Sequence, residues 1–126
     1  MTMITFLSYW GPVVLWAGVI FFLSSIPSLN SGFGIWDYFL RKGAHIFEFF
    51  LLTILLQRAV KASFKMVTFR GVMVLSGLVA VFYAMSDEFH QSFVPGRGPS
   101  AYDVMIDSVG IVIGLCLFQK YSKRPV

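Results

Sequence analysis

The sequence predicts an all-α integral membrane protein: one domain over residues 1–126, built as a bundle of four transmembrane helices with both termini cytoplasmic. Three observations carry that prediction. Of the 126 residues, 57% are hydrophobic and 17% aromatic. Only 13% are charged, about half the share of a soluble domain. No charged side chain occurs before Asp37, so the chain begins with a long stretch suited to hydrocarbon.

The first span is residues 6–26. At about 1.5 Å per residue this apolar segment is long enough to cross a hydrocarbon core of about 30 Å. A cleaved signal peptide would open on basic residues and carry a shorter apolar core; residues 1–5 hold no Lys or Arg, which favours a retained helix. Residues 28–40 are rich in Gly, Ser and aromatics (Phe33, Trp36, Tyr38, Phe39) and predict a loop or short helix in the interface, where Trp and Tyr concentrate. Three further spans follow at residues 41–60, 70–91 and 101–119, each about the 20 residues a membrane helix needs.

The basic residues set the orientation. Arg58, Lys61, Lys65 and Arg70 crowd the second connection, while Lys120, Lys123 and Arg124 follow the last span. In an even-numbered bundle these places share one side, and the positive-inside rule makes it the cytoplasm. The formal charge of +4 is therefore the sum of a strongly basic inner surface and an acidic outer one. The basic residues make no accessible stripe free of apolar neighbours, which argues against a nucleic-acid partner. Cys116, the single cysteine, sits in an apolar run and reads as a small buried hydrophobe.

All six acidic residues, Asp37, Glu48, Asp87, Glu88, Asp103 and Asp107, fall toward the opposite ends of the helices, as do both histidines, His45 and His90. Counting at about 1.5 Å per residue, Glu48 lies about 15 Å from Arg58, near the midplane, and the remaining acids lie further out. They outline an outward-opening pocket with Glu48 at its floor. Helical phase supports the same reading. Ser76, Ala80, Ala84, Asp87 and Gln91 form one stripe of the third span, and Asp103, Asp107, Gly110 and Gly114 form one stripe of the fourth. Small residues four apart let membrane helices approach closely, so both carboxylate stripes continue seams that face other helices. Arg41, His45 and Glu48 share a face of the second span.

Each group also has a plainer reading. Lys42 can be an interface anchor with a snorkelling stem, and the polar run Asp87–Gln91 can be a helix end entering water. Asp103 can pair with Ser100 as an N-cap, and Arg97 can be an exposed loop charge. Glu48 is harder to explain away, because an ionisable residue within a membrane span costs roughly 2.5 to 3.5 kcal/mol on insertion scales and needs a partner or a function. Candidate acid–base groups are His45, Glu48, Asp87, Glu88 and His90, and candidate ligand-binding groups are Lys42, Gln91, Arg97, Asp103 and Asp107. A mixed His and carboxylate set, His45, Glu48, Asp87 and Asp107, could hold a divalent cation, although the spacing matches no specific metal motif. No phosphate-binding Gly-rich loop or nucleophile elbow is present.

Three blocks, K-x-x-H-x-x-E in Lys42 to Glu48, S-D-E-x-H-Q-x-F-V-P-G-R in Ser86 to Arg97 and D-x-x-x-D-x-x-G-x-x-x-G in Asp103 to Gly114, resemble the VanZ-like family of small bacterial membrane proteins, named for an accessory protein of teicoplanin resistance. The opening segment Phe22 to Pro27 is similar to that family too. Asp107 stands where many relatives carry Asn and adds a negative charge. The resemblance implies a multi-pass protein of the bacterial cell membrane with a role in the envelope and glycopeptide susceptibility as an associated phenotype.

Three functions are compatible with these residues. The first is a pocket for a membrane lipid or lipid-linked cell-wall precursor head group, with Arg97, Lys42 and Arg41 holding the anion. The second is a metal-assisted hydrolase or transferase acting on a lipid head group, with Glu48 or His45 as general base. The third is a proton-coupled carrier, which would need a pathway to the inner side.

Overall fold

Four α-helices make up the computed structural model, which describes residues 1–26, 34–96 and 100–122 and has no strand among them. They are α1 (Met3–Ser25), α2 (Ile35–Ser63), α3 (Phe69–Gln91) and α4 (Ala101–Ser122). Two start on threonine caps: the Thr2 hydroxyl accepts from the Thr5 amide at 3.1 Å, and the Thr68 hydroxyl accepts from the Gly71 amide at 3.1 Å. Each satisfies an amide that the first turn leaves without an intrahelical partner.

The first, third and fourth helices are long and apolar enough to cross a membrane, with 23, 23 and 22 residues. The chain thus carries three apolar candidate membrane spans. Helix α2 has 29 residues, ample length, but carries Asp37, Arg41, Lys42, Glu48, Arg58 and Lys61.

The expected break over residues 28–40 is corrected from Ile35 onward. Residues 35–40 are the opening turns of α2, not a loop or a separate interfacial helix. Gly34, at φ +63°, makes the turn that L side chains resist, and its carbonyl accepts from the Asp37 amide at 3.1 Å. Asp37 in the first turn also favours the positive end of the helix dipole. Residues 27–33 lie outside the described residues.

Cross-helix bonds give the topology. Trp10 donates to Ser63 at one end of the α1–α2 pair, and Gln91 donates to Ser24 at the other end of α1. Lys61 meets Ser122, whereas His45 meets Asp107, so α2 and α4 run in the same direction. The helices alternate up and down. Helix α2 touches all three others, while α1 and α4 share no contact among the described residues.

The core follows from that placement. Ile20, Phe49, Leu52, Leu56, Ala59, Ala80, Ala84 and Ile111 are buried together. On α3 the stripe Ser76, Ala80, Ala84, Asp87 and Gln91 is buried, as its phase predicts. On α4 the buried residues are Asp107, Gly110, Ile111 and Gly114. Leu15, Phe22, Leu78, Phe82 and Val112 point outward, a surface suited to lipid rather than water, and Cys116, expected to be buried, is exposed on α4.

Candidate functional site

Glycines position the site. At Gly110 an added Cβ would collide with the Ile46 carbonyl and stand 3.0 Å from the Phe50 amide nitrogen. At Gly114 it would lie 3.0 Å from both the Phe50 carbonyl and the Thr53 Cβ. The α2 and α4 backbones therefore meet directly, as small residues allow. One turn before Gly110 on the same stripe, Asp107 then arrives against α2, its Oδ1 3.1 Å from His45 Nδ1. One turn further out, Lys42 and Asp103 form an ion pair. Lys42 also lies 5.3 Å from the Tyr38 ring centroid and 5.6 Å from that of Tyr102. Glu48 brings a carboxylate oxygen 3.9 Å from His45 Nδ1.

Helix α3 supplies the third wall. Asp87 is only 3% exposed, and its Oδ2 accepts from the Gln91 side-chain amide at 3.3 Å. The same Gln91 nitrogen lies 3.3 Å from Ser24 Oγ, which ties α1 into the arrangement. His45, Asp87 and Asp107, each from a different helix, offer donor atoms that all lie within 4.8 Å of one another. Those three groups can hold a divalent cation, since an imidazole with carboxylates is a borderline donor set.

Two small cavities meet at this cluster, the first mainly polar and the second more apolar. One, about 170 Å³, is lined by Tyr38, Arg41, Lys42, His45, Gln91, Gly96 and Asp103. The other, about 130 Å³, lies toward α1 and is lined by Ser24, Ile26, Arg41, Ala44, His45 and Glu48 among others. Arg41 and His45 belong to both walls. Gly96, at φ +79° after Pro95, closes the outer edge of the first in a turn that needs the left-handed conformation. A larger groove of about 870 Å³ lies between α3 and α4, but Met73, Val74, Leu78, Val112 and Leu115 give it an apolar, lipid-contacting character.

Two expected roles take a different form. Glu88 accepts from the Ser100 backbone amide and so holds the start of α4, while Ser100 Oγ accepts from the Tyr102 amide at 3.2 Å. Asp103 therefore serves Lys42 rather than the helix start. His90 turns toward α1: its ring stacks on Phe21 at 4.1 Å between centroids, and Nε2 lies 3.4 Å from Ser25 Oγ. Arg97 lies outside the described residues. Ser24 and Tyr38 join the site without a mark in the sequence: Ser24 lies in an apolar span, and Tyr38 lies in a segment that suits a loop or short helix in the interface.

Glu48 stands at the inner limit of the cluster. Its backbone carbonyl also receives the Trp16 indole N–H at 2.8 Å. Below it Phe49, Leu52 and Leu56 are packed at 3% exposure or less. No acidic or histidine side chain follows on α2 before its basic end at Arg58. The arrangement is thus a blind, charged recess that can bind a polar group, polarise it and exchange protons with it.

No curated protein and no solved structure matches the chain. The protein-family model described as VanZ/LLP1 does match, over residues 6–121, and spans the whole constellation from Lys42 to Asp107. Blocks, spacing and membrane helices agree with that match, and the chain belongs to the VanZ/LLP1 family.

Proposed function

We propose that the chain is a four-span protein of the bacterial cell membrane, with both termini cytoplasmic, whose outward pocket binds the anionic head group of a membrane lipid or lipid-linked cell-wall precursor. The observation that carries this reading is the cavity of about 170 Å³ whose wall presents Arg41, Lys42, His45 and Gln91 together. Helix α2 is the fourth span. Of its charged residues Asp37 and Glu48 are buried and Lys42 is half-buried, as intramembrane ionisable groups generally face a bundle interior, while the exposed Arg41, Arg58 and Lys61 lie toward its two ends. The basic ends, with Arg58, Lys61 and Lys65, then face the cytoplasm. Binding of such a head group is a physical route to the family's association with teicoplanin susceptibility.

A second reading is favoured by the convergence of His45, Asp87 and Asp107. A divalent cation there would offset the local excess of carboxylate and could polarise a phosphoryl oxygen, with Glu48 as general base. That is the metal-assisted hydrolase or transferase. A proton-coupled carrier is less well supported, because no carboxylate or imidazole continues from Glu48 to the basic end.

Titration of farnesyl phosphate into the protein in mild detergent tests the pocket, with and without Mn²⁺. Binding should weaken about tenfold or more in Lys42→Gln and in His45→Gln, the loss expected for a charged hydrogen bond. Unchanged affinity in both variants would reject the pocket. Mn²⁺-dependent release of inorganic phosphate would select the enzyme reading, and binding without turnover the first one.

A further inference from the structure

At the opposite end of the bundle from the acidic cluster, α2 and α4 build a second site. A cavity of about 570 Å³ is lined by Tyr9, Arg58, Lys61, Phe118, Tyr121 and Ser122. Arg58 lies with its guanidinium 4.8 Å from the Tyr9 ring centroid. Lys61, one turn on, lies with Nζ 5.8 Å from the Phe118 centroid and 3.1 Å from Ser122 Oγ. Aromatic and hydroxyl neighbours hold both cations over the cavity.

Among the described residues no acidic side chain lines this cavity. All six acidic side chains belong to the other half of the bundle or to its outer end, where Lys42 pairs with Asp103 and His45 lies beside Glu48 and Asp107. A second copy seated on the same face would bring further like charge. The occupant that fits is therefore an anion.

A second feature says what kind. An apolar groove of about 300 Å³ runs along α2 and α4, lined by Phe50, Leu51, Ile54, Leu117, Phe118 and Tyr121. It shares Phe118 and Tyr121 with the basic cavity. The cavity takes a charged head and the groove takes a hydrocarbon tail. We propose that Arg58 and Lys61, with the α2–α4 groove above them, form a specific site for one anionic phospholipid, distinct from the outward pocket. Basic pockets between transmembrane helices on the cytoplasmic side recognise such head groups. The leaflet assigned to that lipid rests on the proposed orientation; the selectivity does not.

The test is native mass spectrometry of the protein released from vesicles of equal phosphatidylglycerol and phosphatidylcholine. One phosphatidylglycerol should be retained preferentially, on the order of thirtyfold, the ratio two charges near a membrane surface supply. R58Q/K61Q should abolish the preference, and I54W, which fills the groove without altering charge, should release the lipid too. K65Q/R70Q removes two charges from the same end but outside the cavity and should retain it. Equal retention of both lipids, or equal loss in K65Q/R70Q, overturns the site. Displacement by soluble glycerol phosphate at the same concentration would remove any role for the groove and also overturn it. Accessibility of S92C and K65C to an impermeant thiol reagent reports orientation independently, so an inverted topology would leave the selectivity result standing.

Discussion

Replacing Gly110 by alanine adds one methyl group at the closest approach of α2 and α4. That methyl overlaps the Ile46 carbonyl and sits 3.0 Å from the Phe50 amide nitrogen. Both obstacles are backbone, so no side chain can rotate away and the helices must separate. Forcing a methylene into a filled interface costs typically about 1 to 3 kcal/mol, and the upper half of that range applies where backbone blocks the way. Alanine recovers about 0.8 to 1 kcal/mol of intrinsic helix propensity, which leaves a net loss of about 1 to 2 kcal/mol. Gly18→Ala is the control, because nothing lies within 4 Å of its added Cβ. Equilibrium unfolding in mixed detergent, followed by tryptophan fluorescence, should show G110A destabilised by roughly tenfold in its unfolding constant and G18A unchanged or stabilised. The separation should also loosen the 3.1 Å contact of Asp107 with His45 and weaken farnesyl phosphate binding. G110A as stable as the parent, with binding intact, would refute direct backbone packing of the two helices.

Gln57 is fully buried and its amide donates to the Thr53 and Gly114 carbonyls at 3.3 and 3.2 Å. Since interhelical bonds in membranes average about 0.6 kcal/mol, Gln57→Leu should change unfolding stability by less than about 1 kcal/mol in the same assay. Asp107→Asn keeps the shape but removes the charge; it should leave the fold intact while lowering Mn²⁺ affinity more than tenfold by calorimetry, and unchanged affinity would exclude Asp107 as a ligand. In a Cys116→Ser background, an impermeant thiol reagent applied to intact cells should label S92C and not K65C, and the opposite pattern would invert the topology.

The seams on α3 and α4 were legible because small residues and carboxylates recur with one helical phase, and Ser76, Ala80, Ala84, Asp87 and Gln91 on α3, with Asp107, Gly110 and Gly114 on α4, are buried. The shared face of Arg41, His45 and Glu48 was legible from helical phase, and the three line one cavity. The extent of α2 was not. Trp36, Tyr38 and Phe39 suit an interfacial loop as well as a helix, and only Gly34's positive φ decides where the helix begins. Nor could hydropathy reveal that the most charged helix is the central one, since its charge is compensated by residues far along the chain, such as Asp103 and Asp107. Glu88 looked like a pocket acid because its partner, the Ser100 backbone amide, leaves no trace in side-chain chemistry. Helix α1 gave little guidance, being apolar on every face, and its polar anchors Trp16 and Ser24 become visible only through their partners on α2 and α3.

The outward pocket is tested most directly by a structure of the protein in lipid nanodiscs with farnesyl phosphate bound. The phosphate should sit in the cavity between Lys42, His45 and Gln91, within hydrogen-bond reach of Lys42. A phosphate lodged elsewhere, with that cavity collapsed or filled only by protein, would contradict it.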